Sequence, residues 1–281
     1  RMRYGVQRID GYTCRFDGGT GRYLGSLAVL NKLLSIKSAT FDISLDTMIS
    51  LHLNTAVPSD ENRLRYFLDP ESFPANSSEH YQFADLRMST GLTGAQLNSY
   101  IESTINGKNG SLANAGSLIV GAARSAGINE MYLLSHMLLE TGWGSSELAK
   151  GRYCEEREIG GILYPEGYYY NFVGYGAYDS DPIEGGFKYA QSHGWNSVAT
   201  AIQGAAYEIS SNYINCYDFG IQYTLYYMKW NPDYAAQTGE RSWHEYATSI
   251  SWATSIANVM DGGFSHCNVM PSFAYYVPKY R

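Results

Sequence analysis

One carboxylate stands out by its surroundings. Residues Asn129 to Glu140 follow a helical pattern that ends near Gly142, within the run 133–149, LLSHMLLETGWGSSELA. Helical spacing puts Glu140 on one face with Leu133, His136 and Met137, so its carboxyl emerges from a mostly apolar stripe. It also falls in the last turn, where unpaired carbonyls create a negative potential. Desolvation and that potential both disfavour the anion, so both raise the pKa. Cleavage of a glycosidic bond needs a general acid that is still protonated near neutral pH. The same residues also fit an ordinary surface glutamate ahead of a glycine that ends its helix.

Glycoside hydrolysis usually pairs such an acid with a second carboxylate. The pair is roughly 6.5–9.5 Å apart in inverting enzymes and about 5–5.5 Å apart in retaining ones. The stretch beyond Glu140 offers Glu155, Glu156, Glu158, Glu166, Asp179 and Glu184, and position alone does not choose among them. A 2-acetamido oxygen on the substrate could also take that role.

Other chemistries fit less well. His244 and Glu245 begin like a zinc helix, but Thr248 stands where the second histidine is required. Asp179 and Asp181 open like a calcium loop that fails at Ile183. There is no serine-hydrolase elbow and no phosphate loop. No metal and no cofactor are expected. His52, His80, His136, His193 and His266 read as structural. The four cysteines, Cys14, Cys154, Cys216 and Cys267, show no metal-binding spacing, and one bridge from Cys154 to Cys216 is possible.

These residues need elements to position them. Short β-like runs such as Ile36–Leu45 come first, followed by a patterned stretch at Met48–Leu53 and a short helix at Glu61–Phe67. Thr93 ahead of Gln96 predicts a helix near 94–105. Helical patterns follow at Leu112–Ala126, ending at Gly127, and at Asn129–Glu140. From Gly151 to Gly176 the composition turns to Gly, Tyr and β-branched residues. Strand candidates there flank Pro165-Glu166-Gly167, as a hairpin or flap. Helical patterning returns at Pro182–Ser192, Ser197–Asn212, Gly220–Lys229 and Ser242–Asp261. An α+β protein dominated by helices is expected, with one small β lobe near 152–176.

The 281 residues suffice for a real core, as one large domain or two small ones. A net charge of −7 argues against nucleic acid, which needs a basic face. Aromatics make up 15% of the chain, with 26 Tyr against 10 Phe. Tyrosine joins an apolar ring to a polar tip and so suits a sugar cleft as well as a core. No apolar run approaches a membrane span, and no leader opens the chain. The Arg1 start reads as a cut from a longer protein.

The run from Glu140 through Ser146, with Leu148 to Gly151, resembles the catalytic helix end of endo-β-N-acetylglucosaminidases of glycoside hydrolase family 73. Three further stretches resemble that family in the same order. They are 170–179 (YNFVGYGAYD), Gly185-Gly186 through Gly194-Trp195, and 243–248 (WHEYAT). Phe67 to Pro70 and the region to Gly110 also resemble the helical lead-in of larger autolysins. The resemblance spans residues 60–262. It implies a lysozyme-like core at 111–281 behind a lead-in at 1–110, with peptidoglycan glycan strands as substrate. It also implies a secreted enzyme acting in the cell wall, its wall-binding modules lying outside this chain.

By the same resemblance Glu140 is the general acid and Tyr246 lines the scissile bond. Asn171, Phe172, Tyr178, Trp143 and Tyr175 are carried to the cleft. Glu184 and Asp179 rank ahead for the second carboxylate because both fall near these motifs. A lytic transglycosylase or muramidase on a similar fold, and a wall-binding module without catalysis, are the rival expectations.

Overall fold

The computed structural model describes residues 1–281 except 1–4, 10–11, 17–22, 27–35, 56, 59 and 178–180, with side chains described from residue 36 onward. It opens with an antiparallel sheet of three strands in sequential order, β1 (Gly5–Ile9), β2 (Tyr12–Phe16) and β3 (Tyr23–Ser26). Next come β4 (Ile36–Phe41), α1 (Leu45–His52) and α2 (Glu61–Leu68). Ser44 and Asp60 cap the two helices by accepting from Thr47 N and Arg63 N. Beyond two 3₁₀ turns lies α3 (Gly94–Ser103), started by a capping box in which Thr93 and Gln96 satisfy each other's backbone.

At the centre are α4 (Gly116–Ala126) and α5 (Glu130–Glu140). Gly127, at φ +66°, stops α4 in the left-handed region that glycine adopts freely. Asn129 Oδ1 then accepts from Tyr132 N at 2.8 Å and starts α5. Every α5 residue from Glu130 to Leu138 is buried. A helix apolar nearly all round belongs inside a fold. It lies between α4 and a long helix, Trp252–His266, near the end of the chain.

After the short α6 (Glu147–Lys150), four short strands form the β lobe. They are β5 (Arg152–Cys154), β6 (Arg157–Ile159), β7 (Ile162–Tyr164) and β8 (Gly167–Tyr169). β6 pairs with β7, and β5 pairs with β8 outside them. The turn expected at Pro165-Glu166-Gly167 is therefore not the tip of the hairpin. Gly160 and Gly161 form it, at φ +60° and +81°, the two successive positive values of a type I′ hairpin turn, which glycine adopts without strain.

The remaining helices are α7 (Pro182–Ser192), α8 (Val198–Ile209, continued by a π-turn), α9 (Leu225–Trp230), α10 (Pro232–Thr238) and α11 (Trp252–His266). The expected helix at Ser242–Asp261 begins only at Trp252. In 242–251 Tyr246 N donates to Met228 O and Ile250 N to Val57 O, not to carbonyls one turn back. Likewise the helix expected from Gly220 starts after its Thr224 cap. β9 (Tyr275–Tyr280) lies parallel to β4, with Ile36 opposite Tyr275 and Phe41 opposite Tyr280. One hydrophobic core runs continuously from Phe41 to Tyr275.

The protein is thus α+β and predominantly helical, as the pattern implied. Cys154, Cys216 and Cys267 are free thiols, so the bridge from Cys154 to Cys216 is not formed. Among the described residues no helix is long and apolar enough to cross a membrane.

Candidate active site

Glu140 closes α5, and the turn after it is unusual. Gly142, Trp143 and Gly144 take φ values of +54°, +63° and +76° in succession. A tryptophan in that region is strained by ~1–3 kcal/mol, a kind of strain that clusters at functional sites. Thr141 holds the turn: its Oγ1 donates to Met137 O at 2.5 Å and accepts from Gly144 N at 2.8 Å. Thr141 O accepts from Ser145 N and Ser146 N, at 3.0 and 2.9 Å. Ser146 then caps α6. The chain reverses within a few residues and leaves the Glu140 side chain 26% exposed at the helix end.

The carboxyl is held on one side only. Trp252 Nε1, from the first turn of α11, donates to Glu140 Oε1 at 2.9 Å. Among the described residues nothing hydrogen-bonds Oε2. His136 Nε2, one turn back on α5, lies 3.6 Å from Oε1, beyond hydrogen-bond range. Complete burial pushes the His136 pKa down to about 3, so the ring is neutral and the contact is not an ion pair. Its Nδ1 meets the Tyr132 hydroxyl at 2.9 Å. Desolvation raises the Glu140 pKa above the ordinary glutamate value, and the Trp252 bond opposes it without reversing the direction.

An aromatic wall stands beside this carboxyl. The Tyr246 ring stacks on Trp252, with centroids 4.7 Å apart and planes 19° apart, and meets His136 edge-on at 4.6 Å. Tyr213 and Tyr175 lie 5.0 and 6.1 Å from it. The Tyr246 hydroxyl has a long contact, 3.5 Å to Val173 O, and interacts with the Tyr175 hydroxyl. Away from Glu140 the rings continue through Tyr213, His244 and Phe219 to Trp243, which is 69% exposed.

The other expected site residues divide. Tyr175 faces Tyr246 and stacks on Tyr189. Trp143 is half-buried in the strained turn. Asn171 is buried and its amide is saturated: Nδ2 donates to Tyr175 O and Gly186 O, and Oδ1 accepts from Val173 N and Gly174 N. Phe172 is fully buried. Both shape the loop from beneath and present no free group. Tyr178 and Asp179 lie outside the described residues.

Glu184 is already engaged. Its Oε2 is 2.6 Å from Arg152 NH2 on β5 and its Oε1 is 2.5 Å from Arg157 NH1 on β6. Those two guanidinium groups hold its carboxyl below the usual glutamate range. It ties the β lobe to α7. Glu155, Glu156, Glu158 and Glu166 are exposed on the lobe. A cavity of about 550 Å³ lies elsewhere, lined by Arg87, Arg124 and Glu130 among others, at the opposite end of α5 from Glu140.

Sequence reasoning missed Trp252, placed inside an unbroken helical pattern, and Tyr213. His136 shared the Glu140 face in the helical pattern, which was the signal for its proximity.

The sequence pattern of the glucosaminidase family, described as mannosyl-glycoprotein endo-beta-N-acetylglucosaminidase, matches residues 116–263, from α4 through most of α11. The chain belongs to the glucosaminidase family. Among similar proteins, the bifunctional autolysin of Staphylococcus aureus strain MSSA476 is 34% identical over 220 residues. That alignment covers 78% of this chain but only 16% of the autolysin, so this glucosaminidase chain corresponds to a small part of such a protein. S. aureus glucosaminidase B superposes with a TM-score of 0.60 at 29% identity, covering 88% of this chain and 94% of that one. S. aureus autolysin E, in complex with the muropeptide NAM-L-ALA-D-iGLU, gives a TM-score of 0.64 at 27% identity, over 85% and 98% of the two chains. A catalytic glutamate-to-alanine mutant of autolysin E, in complex with the disaccharide NAG-NAM, gives 0.63 at 27% identity, over 85% and 99%. The lysozyme-like glucosaminidase core expected from the motifs is therefore the fold observed.

Proposed function

We propose that this glucosaminidase hydrolyses the β-1,4 bond between N-acetylglucosamine and N-acetylmuramic acid in peptidoglycan, with Glu140 as proton donor. The observation that carries this is a desolvated carboxyl in a family member, with Oε1 fixed by Trp252 and Oε2 free to hold and deliver a proton. Glu140 protonates the glycosidic oxygen as the bond to the anomeric carbon breaks. As the proton leaves, the Trp252 N–H bond strengthens onto the carboxylate that remains. Tyr246, whose hydroxyl makes a long contact with Val173 O and interacts with Tyr175, lines the bond and stabilises the charge developing on the sugar.

The second group is not Glu184, since a carboxylate bound by two guanidinium groups is a poor base. The second role then falls either to the substrate's own 2-acetamido oxygen, which bonds to the anomeric carbon as the leaving oxygen departs and is displaced by water afterwards, or to a carboxylate that activates water, Asp179 or one of Glu155, Glu156, Glu158 and Glu166. Tyr213, His244, Phe219 and Trp243 extend the wall from the reacting bond and fit a long glycan strand better than a small sugar. The enzyme is secreted and works in the cell wall, and wall-binding modules accompany it in the whole protein. The much greater length of the autolysin relative supports the presence of further modules, and its being an autolysin supports a place of action in the wall.

Product analysis on purified peptidoglycan tests the proposal. Hydrolysis creates new reducing ends on N-acetylglucosamine. A 1,6-anhydro product would instead show a lytic transglycosylase, and retention on the wall without cleavage would show a binding module.

A further inference from the structure

Glu245 takes part in no step described above, yet a histidine, a lysine and an arginine converge on it. Its side chain is 2% exposed. Oε1 is 2.7 Å from His52 Nε2 on α1, and Oε2 is 2.9 Å from Arg241 NH2 and 3.7 Å from Lys229 Nζ on α9. His52 Nδ1 lies 2.7 Å from Met48 O, so both ring nitrogens face oxygen acceptors. Lys229 has no exposed side-chain surface, and its ammonium lies 4.0 Å from the Trp230 ring centroid. A buried ion cluster seldom adds stability over an apolar replacement, so its place in the fold matters more than its charge count.

That place is directly beside Tyr246, in a segment with neither helix nor strand to fix it. Among the described residues the Tyr246 hydroxyl makes a long contact with Val173 O and interacts with Tyr175, so the ring's place is set by its packing and by the course of its backbone rather than by a short hydrogen bond. α9 holds that segment at consecutive residues: Met228 O accepts from Tyr246 N at 3.0 Å, and the Lys229 ammonium lies 3.7 Å from the Glu245 carboxylate. The two neighbouring side chains diverge. Glu245 reaches into the ion cluster, while Tyr246 reaches Trp252 and His136 beside the acid.

We propose that Glu245 is a positioning residue: it locks its segment to α1 and α9 and so holds the Tyr246 ring against Trp252 beside Glu140. This rests on Glu140 being the acid of the proposed reaction. Misplacement of a group by about 1 Å can cost on the order of 10²-fold in rate without altering ground-state binding. Loosening the cluster should therefore lower kcat and leave KM in place.

The variant is Glu245→Gln, which keeps the shape and removes the charge. With a soluble chitooligosaccharide, kcat of the folded variant should fall by roughly tenfold or more while KM stays within about twofold. Phe73→Leu, a core change among Tyr66 and Phe67, serves as a destabilised control and should keep wild-type kcat. Arg241→Gln, at a partly exposed member of the cluster, should show the same pattern more weakly, and it decides the matter if Glu245→Gln does not fold. A readout independent of turnover is the NMR resonance of the Trp252 indole N–H, which lies under the ring current of Tyr246. The resonance should move in both variants and stay in place in Phe73→Leu. Wild-type kcat in the folded variants, or a loss no greater than in the control, would overturn the proposal. An unmoved Trp252 resonance would do the same even if the wild-type chain proved inactive. Inactivity of the wild type with a shifted resonance would leave Glu245 as the anchor of Tyr246 and remove the proposed reaction instead.

Discussion

Replacing Trp252 by Phe removes the one hydrogen bond that the described residues give the proposed acid and leaves a ring in its place. The lost bond, indole N–H to Glu140 Oε1 at 2.9 Å, favours the carboxylate over the acid. Without it Glu140 becomes a weaker acid, and its pKa moves further above the ordinary glutamate value. A hydrogen bond to a charged group contributes about 1.5–3 kcal/mol. If about half of that is realised as the proton leaves, the barrier rises by about 1 kcal/mol or slightly more, roughly a tenfold loss of kcat. The pH profile carries the sharper signature. Glu140 must be protonated to act, so activity is lost as pH rises through its pKa, and in the variant that loss occurs at higher pH. The variant therefore retains a larger share of its own maximum on the alkaline side. Phe keeps a ring against Tyr246 and His136, so the fold survives. The assay is kcat and kcat/KM against pH on a soluble chitooligosaccharide, for wild type and variant together. An alkaline limb that moves to lower pH, or an unchanged kcat with an unchanged profile, refutes the reasoning.

Three further outcomes are expected. Tyr246→Phe removes a hydroxyl whose contacts, with Val173 O at 3.5 Å and with Tyr175, are weak, so stability should change by less than about 1 kcal/mol while kcat and kcat/KM fall together by roughly 10²-fold, as thermal melts and steady-state kinetics would show. Trp243→Ala should raise KM for long chitooligosaccharides and leave kcat unchanged, because the ring is exposed at the far end of the wall; an effect equal on short and long substrates would deny it a place in glycan binding. Glu184→Gln should speed hydrogen exchange in 152–169 by breaking the arginine clasp. In the wild type the Glu184 pKa is depressed, so the clasp contributes above the ordinary glutamate value of about 4.3 and is lost as pH falls through the folded-state value. Equal exchange in variant and wild type at neutral pH would show that the lobe is held by other contacts.

How much of this was legible in the sequence depended on how local the signal was. The helix carrying Glu140 was readable because Asn129 starts it and Gly142 follows its end, both within a turn of the residues they control. The desolvation of Glu140 was readable from the apolar stripe on its own helix. The irregular course of 242–251 was not, because Val57, Met228 and the partners of Glu245 hold it, and the more distant of these lie nearly two hundred residues away. Trp252 was hidden for the same reason: it opens a helix whose preceding residues carry helical periodicity but are pulled elsewhere. Within the β lobe two turn signals competed, and Gly160-Gly161 won over Pro165-Glu166-Gly167 because a pair of glycines accepts two positive φ values in succession without strain. Asn171 carried a residue type suited to an acetamido group, and only the fold shows its amide bound to four backbone groups.

The central claim is that Glu140 supplies the proton. The most direct measurement is the rate at which purified peptidoglycan gains new reducing ends with Glu140→Gln against wild type, each confirmed folded by circular dichroism. The amide keeps the side chain's shape and its acceptor for Trp252 but has no acidic proton to give. The expected result is a loss on the order of 10²–10⁴-fold, the typical contribution of general acid catalysis. Turnover close to wild type in the folded variant would contradict the account.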